Sequence, residues 1–369
     1  MAFLAYGLAR WLRSFLTFAA LLTCIAPSFL GSRANAASID QLQGFDGGTA
    51  WINSPPLTPE ELRGKVVLVD FWEYTCINCL RTLPYLREWY RRYHDDGLVI
   101  VGVHTPEFNF SAKRVNVAAG AERLGVKWPI VLDDHGTIWK RYDNDGWPHE
   151  YLYDQNGRLV ESFPGEGGYP QTEAKIQELL KSTQPKLALP PVMALLPQDS
   201  YDKPGAVCYP KTPELVVGHQ PIANGSAMSN PGQDNDYAYD ASNPQDGAIY
   251  LQGYWHRTAD AMVSGENNGY VTLRYHAIQV VAVMKPENGG STRVEVTQDG
   301  APVPREDAGK DLRYDDHGNS YVEVTAGRAY DLIANARFGQ HTLKVSPKSD
   351  SLGIYDFAFE SCEVPKSPT

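Results

Sequence analysis

Two cysteines separated by two residues, Cys76 and Cys79, are the side chains in this sequence best suited to redox chemistry. They follow the apolar residues Val66–Val69 and Phe71, a pattern typical of a buried central strand. Large apolar residues then recur at helical spacing, which predicts a helix that starts at Cys76: Leu80, Leu83, Leu86, Trp89 and Tyr90. A helix N-terminus favours an anion, so we expect a lowered pKa for the Cys76 thiol. Cys79 would lie one turn further on, where it can resolve a mixed disulfide.

A zinc half-site is the alternative reading of a Cys-x-x-Cys pair. Such a site needs further ligands, and the sequence contains no second Cys-x-x-Cys. The other cysteines, Cys24, Cys208 and Cys362, stand far apart. We therefore expect redox chemistry at Cys76 and Cys79, no metal site, and no cofactor.

The first 36 residues have the composition of a secretory signal. Arg10 and Arg13 precede an apolar run from Phe15 to Leu30, and the small residues Ala34-Asn35-Ala36 follow. The pattern predicts a signal peptide over residues 1–36 and a periplasmic or otherwise extracytoplasmic protein. An uncleaved anchor is the alternative.

The charge of the chain bears on its partners. Loss of residues 1–36 would remove three arginines and no acidic residue, which changes the net charge from −11 to −14. A strongly acidic protein is a poor partner for nucleic acid or for an anionic membrane surface. We expect neither.

Export also places the remaining cysteines in an oxidising compartment, where disulfides persist. Without Cys24, four cysteines allow three pairings. Only the pairing of Cys76 with Cys79 and of Cys208 with Cys362 respects the geometry of a Cys-x-x-Cys helix start. We expect Cys208–Cys362 to be a structural disulfide.

The chain divides by pattern into two domains after the signal. Residues 37–183 alternate strand-like and helix-like segments, which predicts an α/β fold. Residues 184–247 are rich in proline and read as a linker. Residues 248–369 contain many short strand-like runs separated by turn signals, which predicts an all-β sandwich of jelly-roll type.

The sequence around the cysteines resembles a known family. The run Asp70-Phe71-Trp72, followed by Cys76-x-x-Cys79-Leu80-Arg81 and Pro84, is similar to thioredoxin-like redoxins of the TlpA/ResA type, and in particular to the extracytoplasmic region of DipZ-type proteins. The resemblance implies a thioredoxin-like fold for the first domain. It also implies that Asp70 is a buried carboxylate that relays protons to Cys79.

The same resemblance assigns the substrate groove to Trp147 and Pro148. The run Gly146-Trp147-Pro148 stands where the family has its cis-proline, which faces the dithiol and presents backbone to a substrate peptide.

The last domain resembles the carbohydrate-binding-module-like domain of DipZ-type proteins, through the runs Gly253–Arg257 and Ile354–Phe359. Five aromatic residues could form a stacking platform for a glycan: Tyr250, Tyr254, Trp255, Tyr270 and Tyr275. Aromatic residues in strands more often pack in the core, and fold does not carry function. A glycan is therefore a possible partner and core packing is the favoured reading.

These observations together predict an exported thiol–disulfide oxidoreductase that acts on protein thiols and disulfides. Resemblance to DipZ-type proteins implies a reducing role, with electrons from a CcdA/DsbD-like membrane partner. The dipeptide Ile77-Asn78 matches neither the strong reductants nor the strong oxidants of the family, so the residues leave the direction open.

Two alternatives come from other classes. The first is a binding protein whose β-sandwich recognises a glycan or a protein, with the thioredoxin fold as its carrier. The second is a thiol peroxidase. Its family pocket would need Pro-x-x-x-Thr-x-x-Cys, but Val69 and Glu73 occupy the Pro and Thr positions, which disfavours this function.

Overall fold

A computed structural model describes residues 40–197, 199, 202–219, 221–223, 231–238, 244–265 and 269–364. The predicted signal segment, residues 1–36, lies outside the described residues, and so does Cys24. The described residues belong to one compact unit, Ala37–Thr369. None of the helices among them has both the length and the apolar character needed to cross a membrane.

The first half of the chain alternates strands and helices. Its strands are β1 (Ala50–Ile52), β2 (Val66–Trp72), β3 (Leu98–His104), β4 (Ile130–Leu132), β5 (His149–Tyr153) and β6 (Leu159–Pro164). Its helices are α1 (Ile77–Tyr93), α2 (Arg114–Leu124), α3 (Thr137–Arg141) and α4 (Tyr169–Thr183). The strands form one sheet in the order β1-β4-β3-β2-β5-β6, with β2, β3 and β4 parallel and the other pairings antiparallel. The predicted α/β architecture is confirmed.

Strand β2 determines which side chains meet the active-site helix. It lies inside the sheet and is buried along its whole length. Successive side chains of a strand point to opposite faces. The even-numbered residues Val66, Leu68 and Trp72 accordingly pack in the core that contains α1, whereas the odd-numbered residues pack in a second core on the other face. Asp70 has the parity of the first set, so its carboxyl lies on the α1 side.

Helix α1 begins at Ile77 because Cys76 has extended backbone angles and caps the helix. The Cys79 backbone N–H donates to Cys76 Sγ at 3.3 Å. The helix then buries a stripe at intervals of three residues, Leu83, Leu86 and Trp89, against the sheet.

The second half of the chain contains strands and one short 3₁₀ helix, Arg305–Asp307, among its described residues. The strands are β7 (Val207–Cys208), β8 (Leu215–Val216), β9 (Asp234–Tyr237), β10 (Ile249–Arg257), β11 (Met262–Ser264), β12 (Tyr270–Pro286), β13 (Thr292–Gln298), β14 (Ala301–Pro302), β15 (Arg313–Tyr314), β16 (Ser320–Val324), β17 (Arg328–Pro347), β18 (Leu352–Glu360) and β19 (Cys362–Glu363). These strands pair antiparallel. The predicted all-β domain is confirmed.

The two longest strands, β12 and β17, organise this half. They pair along most of their length, with register shifts after Ala277 and Val280. The other edge of β12 pairs first with β10 and then with β18, so the sheet divides there. The apolar side chains of both parts meet in one core, which includes Trp255, Leu273 and Phe357.

Three short strands fall within residues 184–247, the stretch that the sequence predicts as a linker. Strand β8 pairs with β18, β9 pairs with β10, and β7 pairs with β19. Cys208 of β7 and Cys362 of β19 face each other and form a disulfide, with their Cα atoms 4.0 Å apart. Backbone pairing and this disulfide therefore join part of the connector to the β domain.

The two halves pack directly against each other. The rings of Phe108 and Phe110, in the loop after β3, contact the ring of Tyr355 in β18 with centroids 5.3 and 4.7 Å away. The backbone N–H of Asn109 donates to Asp260 Oδ2 at 2.8 Å. The approach is close at Gly327, because a Cβ atom there would lie 2.7 Å from the Phe110 ring.

Replacing both Cys208 and Cys362 by Ser should lower the free energy of unfolding by about 2 to 5 kcal/mol. The disulfide joins residues 154 positions apart and so restricts the unfolded chain. Denaturant titration followed by tryptophan fluorescence measures the loss, and opening the same bridge in the wild type with a reductant should reproduce it. Equal stability of the variant and the oxidised wild type would contradict this role.

Candidate active site

The two cysteines of the Cys-x-x-Cys pair are thiols in this structure and occupy the first turn of α1. Cys76 is half-buried at the N-cap, and Cys79 is fully buried one turn inside. The hydrogen bond from Cys79 N to Cys76 Sγ holds the outer sulfur above the end of the helix. In this arrangement Cys76 meets solvent and Cys79 meets the core.

The bond between Trp147 and Pro148 is cis, and it lies beside the dithiol. The Trp147 carbonyl oxygen is 4.0 Å from Cys76 Sγ. The Trp147 ring packs on Trp139, with the ring centroids 4.6 Å apart. The structure thus brings Trp147 and Pro148 to the outer cysteine, as the resemblance implies.

Behind the dithiol lies a pair of buried carboxyls, Asp70 and Glu150. They are directly opposite each other in the antiparallel pairing of β2 with β5, so their side chains share the α1 face of the sheet. Both are almost completely buried, and neither oxygen of Asp70 has a hydrogen-bond partner among the described residues. Burial raises the pKa of Asp70 to about 8. Burial, and then the charge of Asp70, raises the pKa of Glu150 well above its ordinary value. Near neutral pH the pair therefore carries little negative charge.

The environment of Cys79 disfavours its thiolate. Burial raises the pKa of the Cys79 thiol well above its ordinary value, and the neighbouring Cys76 and Asp70 add to the effect. Cys79 can therefore ionise only if a nearby group takes its proton. Asp70 is the carboxyl whose charge acts on Cys79 in this way.

A second buried acid, Glu73, fixes the loop between β2 and α1. Its carboxylate accepts hydrogen bonds from the Thr75 N–H and hydroxyl, and from Cys76 N at 3.0 Å. Its other oxygen lies 3.6 Å from Nε2 of His104, which is also fully buried and stacks on Tyr74. Burial alone would raise the pKa of Glu73, but His104 and the donors of Thr75 outweigh it, so the pKa of this carboxyl is lowered.

Arg81 joins the active-site helix to the second half of the chain. Its guanidinium donates to Glu166 at 3.1 Å, to Glu360 of β18 at 2.8 Å and to Gln279 of β12 at 2.9 Å. Glu360 also accepts from the backbone N–H of Cys362. The dithiol helix is thereby tied to the strand that leads into the Cys208–Cys362 disulfide.

Four roles in this site were not predicted from the sequence: Glu73 as the anchor of the loop before α1, His104 beside it, Glu150 opposite Asp70, and Arg81 as the link between the halves. A usable signal existed for two of them. Glu73 interrupts the apolar run between Trp72 and Tyr74, and Glu150 stands in the strand after Pro148, where a carboxylate needs a reason.

Two other sites considered from the sequence are a glycan platform in the β domain and a metal site. Trp255 and Tyr275 are fully buried in the β-domain core and are therefore unable to stack on a glycan, whereas Tyr254 is partly exposed. Within the described ranges, no three His, Cys, Asp or Glu side chains are placed to hold a metal ion.

Two family models match the chain. Residues 53–162 match the AhpC/TSA family, and residues 212–359 match the thioredoxin like C-terminal domain. DipZ of Mycobacterium bovis is 33% identical over 320 residues, which are 85% of this chain. The thiol-disulfide oxidoreductase ResA of Bacillus thuringiensis is 28% identical over 126 residues, which are 34% of this chain and 68% of ResA. The chain is therefore similar to thiol–disulfide oxidoreductases with a thioredoxin-like fold.

The similarity covers both halves of the chain but only part of DipZ. The matched region is 42% of that protein, so this chain spans less than half of its length. Among solved structures, a thioredoxin-like protein in the oxidised form is 26% identical and aligns over 39% of this chain and 97% of its own, with a TM-score of 0.36.

Replacing Asp70 by Asn should change the pH dependence of stability. Unfolded Asp70 titrates near pH 4, whereas burial raises its pKa to about 8 in the folded protein. Between these values ionisation favours the unfolded chain, so the wild type loses stability relative to the variant as the pH rises. We expect the variant to gain about 3 to 5 kcal/mol on the wild type between pH 4 and pH 9.

Denaturant titrations across this pH range measure the difference. Glu161→Gln, which alters an exposed carboxyl, is the matched control and should follow the wild type. A pH-independent difference between Asp70→Asn and the wild type would contradict the raised pKa.

Proposed function

We propose that this chain is an exported thiol–disulfide oxidoreductase that reduces protein disulfides through Cys76 and Cys79. The observation that carries the proposal is the placement of the two sulfurs: a half-buried Cys76 at the start of α1, with Cys79 buried beneath it and next to Asp70. An accessible outer thiol can meet a large substrate. A shielded inner thiol can react only with the mixed disulfide that forms on Cys76.

The reaction follows from this placement. The Cys76 thiolate attacks one sulfur of the substrate disulfide, whose S–S bond breaks, and one substrate cysteine leaves as a thiolate that takes up a proton. The other substrate cysteine is then joined to Cys76. Cys79 loses its proton and attacks Cys76 Sγ, which breaks the mixed disulfide and releases the second substrate thiol. Two electrons pass to the substrate, and Cys76 and Cys79 end as a disulfide.

Asp70 is the proposed acceptor of the Cys79 proton. Its pKa, raised to about 8 by burial, keeps it close enough to neutral pH to gain and lose a proton during turnover. Glu150 lies opposite Asp70, and burial followed by the charge of Asp70 raises the pKa of Glu150, so simultaneous charge on both carboxyls is disfavoured near neutral pH.

Trp147 and Pro148 are the proposed substrate contact. The Trp147 carbonyl faces Cys76 Sγ, where an extended substrate segment beside the attacked sulfur would find backbone to bind. The ring of Trp147 would border that segment.

The reducing direction rests on the raised pKa of Cys79. A dithiol whose inner thiolate is destabilised gains little from reduction, so its disulfide form is favoured and the reduced form gives up electrons. A CcdA/DsbD-like membrane partner is the proposed source of new electrons. The signal-like composition of residues 1–36 supports action outside the cytoplasm.

A thiol peroxidase is the second candidate, because residues 53–162 match the AhpC/TSA family. Against it, Glu73 occupies the position of the pocket threonine, and its carboxylate is already bound to Thr75 and Cys76 N. An anion in that place repels the negative charge that develops on a peroxide. We therefore favour disulfide reduction.

The test is reduction of insulin disulfides by the purified protein with dithiothreitol as electron source. Cys76→Ser should fall to the uncatalysed rate, because the attacking sulfur is gone. Cys79→Ser should accumulate a mixed disulfide with the substrate, visible by mass spectrometry. The double variant Cys208→Ser/Cys362→Ser is the control and should retain turnover where it is folded.

Retention of insulin reduction by Cys76→Ser would overturn the proposal. Rapid consumption of hydrogen peroxide that depends on Cys76, without insulin reduction, would favour the peroxidase instead.

A further inference from the structure

A cavity of about 500 Å³ lies between the active-site helix and the β domain. Its volume is in the range of ligand sites in proteins, and its surface is mostly apolar. Each half of the chain supplies one wall: Ile77, Leu80 and Pro84 from α1, and Ile278, Val281 and Ala334 from β12 and β17.

The cavity begins at the first turn of the active-site helix. Ile77 directly follows Cys76 and Leu80 directly follows Cys79, and both side chains line the cavity. One residue of extended chain spans about 3.3 to 3.6 Å. A polypeptide joined to Cys76 Sγ would therefore reach the cavity within a few residues.

Most charges around the cavity are already paired. Arg81 binds Glu166 and Glu360, and Arg328 binds Asp311 at 2.7 Å. Of these pairs, Arg81–Glu360 joins the two walls of the cavity.

Two polar groups of the lining make no ion pair or hydrogen bond among the described residues. Arg123, an exposed side chain of α2, has no ion-pair or hydrogen-bond partner in the part of the chain that the structure describes. Asp331 Oδ1 is buried and also has no hydrogen-bond partner there. The cavity thus combines apolar walls with an acceptor for an N–H group and a cation for an acidic group.

We propose that this cavity binds the polypeptide of the disulfide substrate beside the cysteine that becomes joined to Cys76. An apolar side chain fills the space between α1 and β12, a peptide N–H donates to Asp331 Oδ1, and an acidic side chain pairs with Arg123. A neutral sugar has neither the apolar bulk nor the negative charge for these groups. The inference rests on the proposed function and specifies its substrates: proteins with apolar and acidic residues next to the target cysteine.

Two synthetic peptides test the proposal. Both carry a central cysteine in a mixed disulfide with thionitrobenzoate, flanked by Glu-Leu and Leu-Glu in one and by Lys-Ser and Ser-Lys in the other. Release of the yellow thiolate reports attack by reduced protein. Burial of one leucine side chain is worth a rate ratio of about tenfold or more, and we expect this preference for the first peptide.

Four variants test whether the cavity causes the preference for the first peptide. Ala334→Trp fills the cavity and should slow the first peptide about tenfold, whereas Val160→Trp, on the exposed edge strand β6, should not. Arg123→Glu should reduce the preference about threefold or more, while Arg63→Glu, an exposed arginine outside the cavity with the same change in net charge, should leave it intact. Reduction of bis(2-hydroxyethyl) disulfide, which is too small to span the cavity, should be unchanged in all four.

The outcomes distinguish the cavity proposal from the proposed reductase function. Equal rates for both peptides, or a preference unaffected by Ala334→Trp and Arg123→Glu, would overturn the cavity proposal while turnover of the small disulfide upholds the reductase function. If Ala334→Trp does not fold, the exposed Arg123→Glu decides alone. Failure of the wild type to reduce even the small disulfide would overturn both.

Discussion

The chemistry of this protein depends on the burial of a carboxyl pair beneath its inner cysteine. Asp70, Glu150 and Cys79 share the desolvated α1 side of the sheet, where water is unable to stabilise several negative charges. In the proposed reaction Cys79 keeps its proton until a carboxylate accepts it, so the transfer of electrons and that of a proton are linked at this site. The Cys76–Cys79 disulfide is uncharged, so its burial carries no such electrostatic cost. That difference supports the proposed reducing direction, and it requires the pairing of β2 with β5 to be in this one register.

The surrounding residues hold the dithiol above the carboxyl pair and place the β domain beside it. Glu73 fixes the loop before α1 through Thr75 and the Cys76 N–H, with His104 beside it as an equally buried counterpart. Arg81 connects the same helix to Glu360 in the β domain. The β domain is therefore part of the surroundings of the active site, since it supplies one wall of the cavity beside Ile77. A thioredoxin-like half alone would have an open surface there.

Local pattern was sufficient to predict the central strand, the helix start at Cys76 and the all-β second half, because each depends on periodicity within a short window. The role of Asp70 and the cis peptide bond at Pro148 were predicted from the resemblance to thioredoxin-like redoxins. The roles of Glu150 and Arg81 depend on contacts between distant positions: Glu150 meets Asp70 through strand register, and Arg81 meets Glu360 across 279 positions. Strands β7, β8 and β9 were missed in the proline-rich connector because their partners, and not their own composition, order them. Side chains alternate between the two faces of β10, and this alternation could have predicted that Trp255 is buried and Tyr254 exposed.

The reduction potential of the Cys76–Cys79 pair tests the central claim most directly. The protein would be equilibrated with dithiothreitol or glutathione buffers, alkylated, and digested, so that mass spectrometry reports this pair separately from Cys208–Cys362. We expect a value close to that of thioredoxin, about −270 mV, because burial of Cys79, with Cys76 and Asp70 nearby, disfavours its thiolate in the reduced form. A value near about −120 mV would mean that the reduced pair is stabilised and that the protein is an oxidant, which would contradict the account.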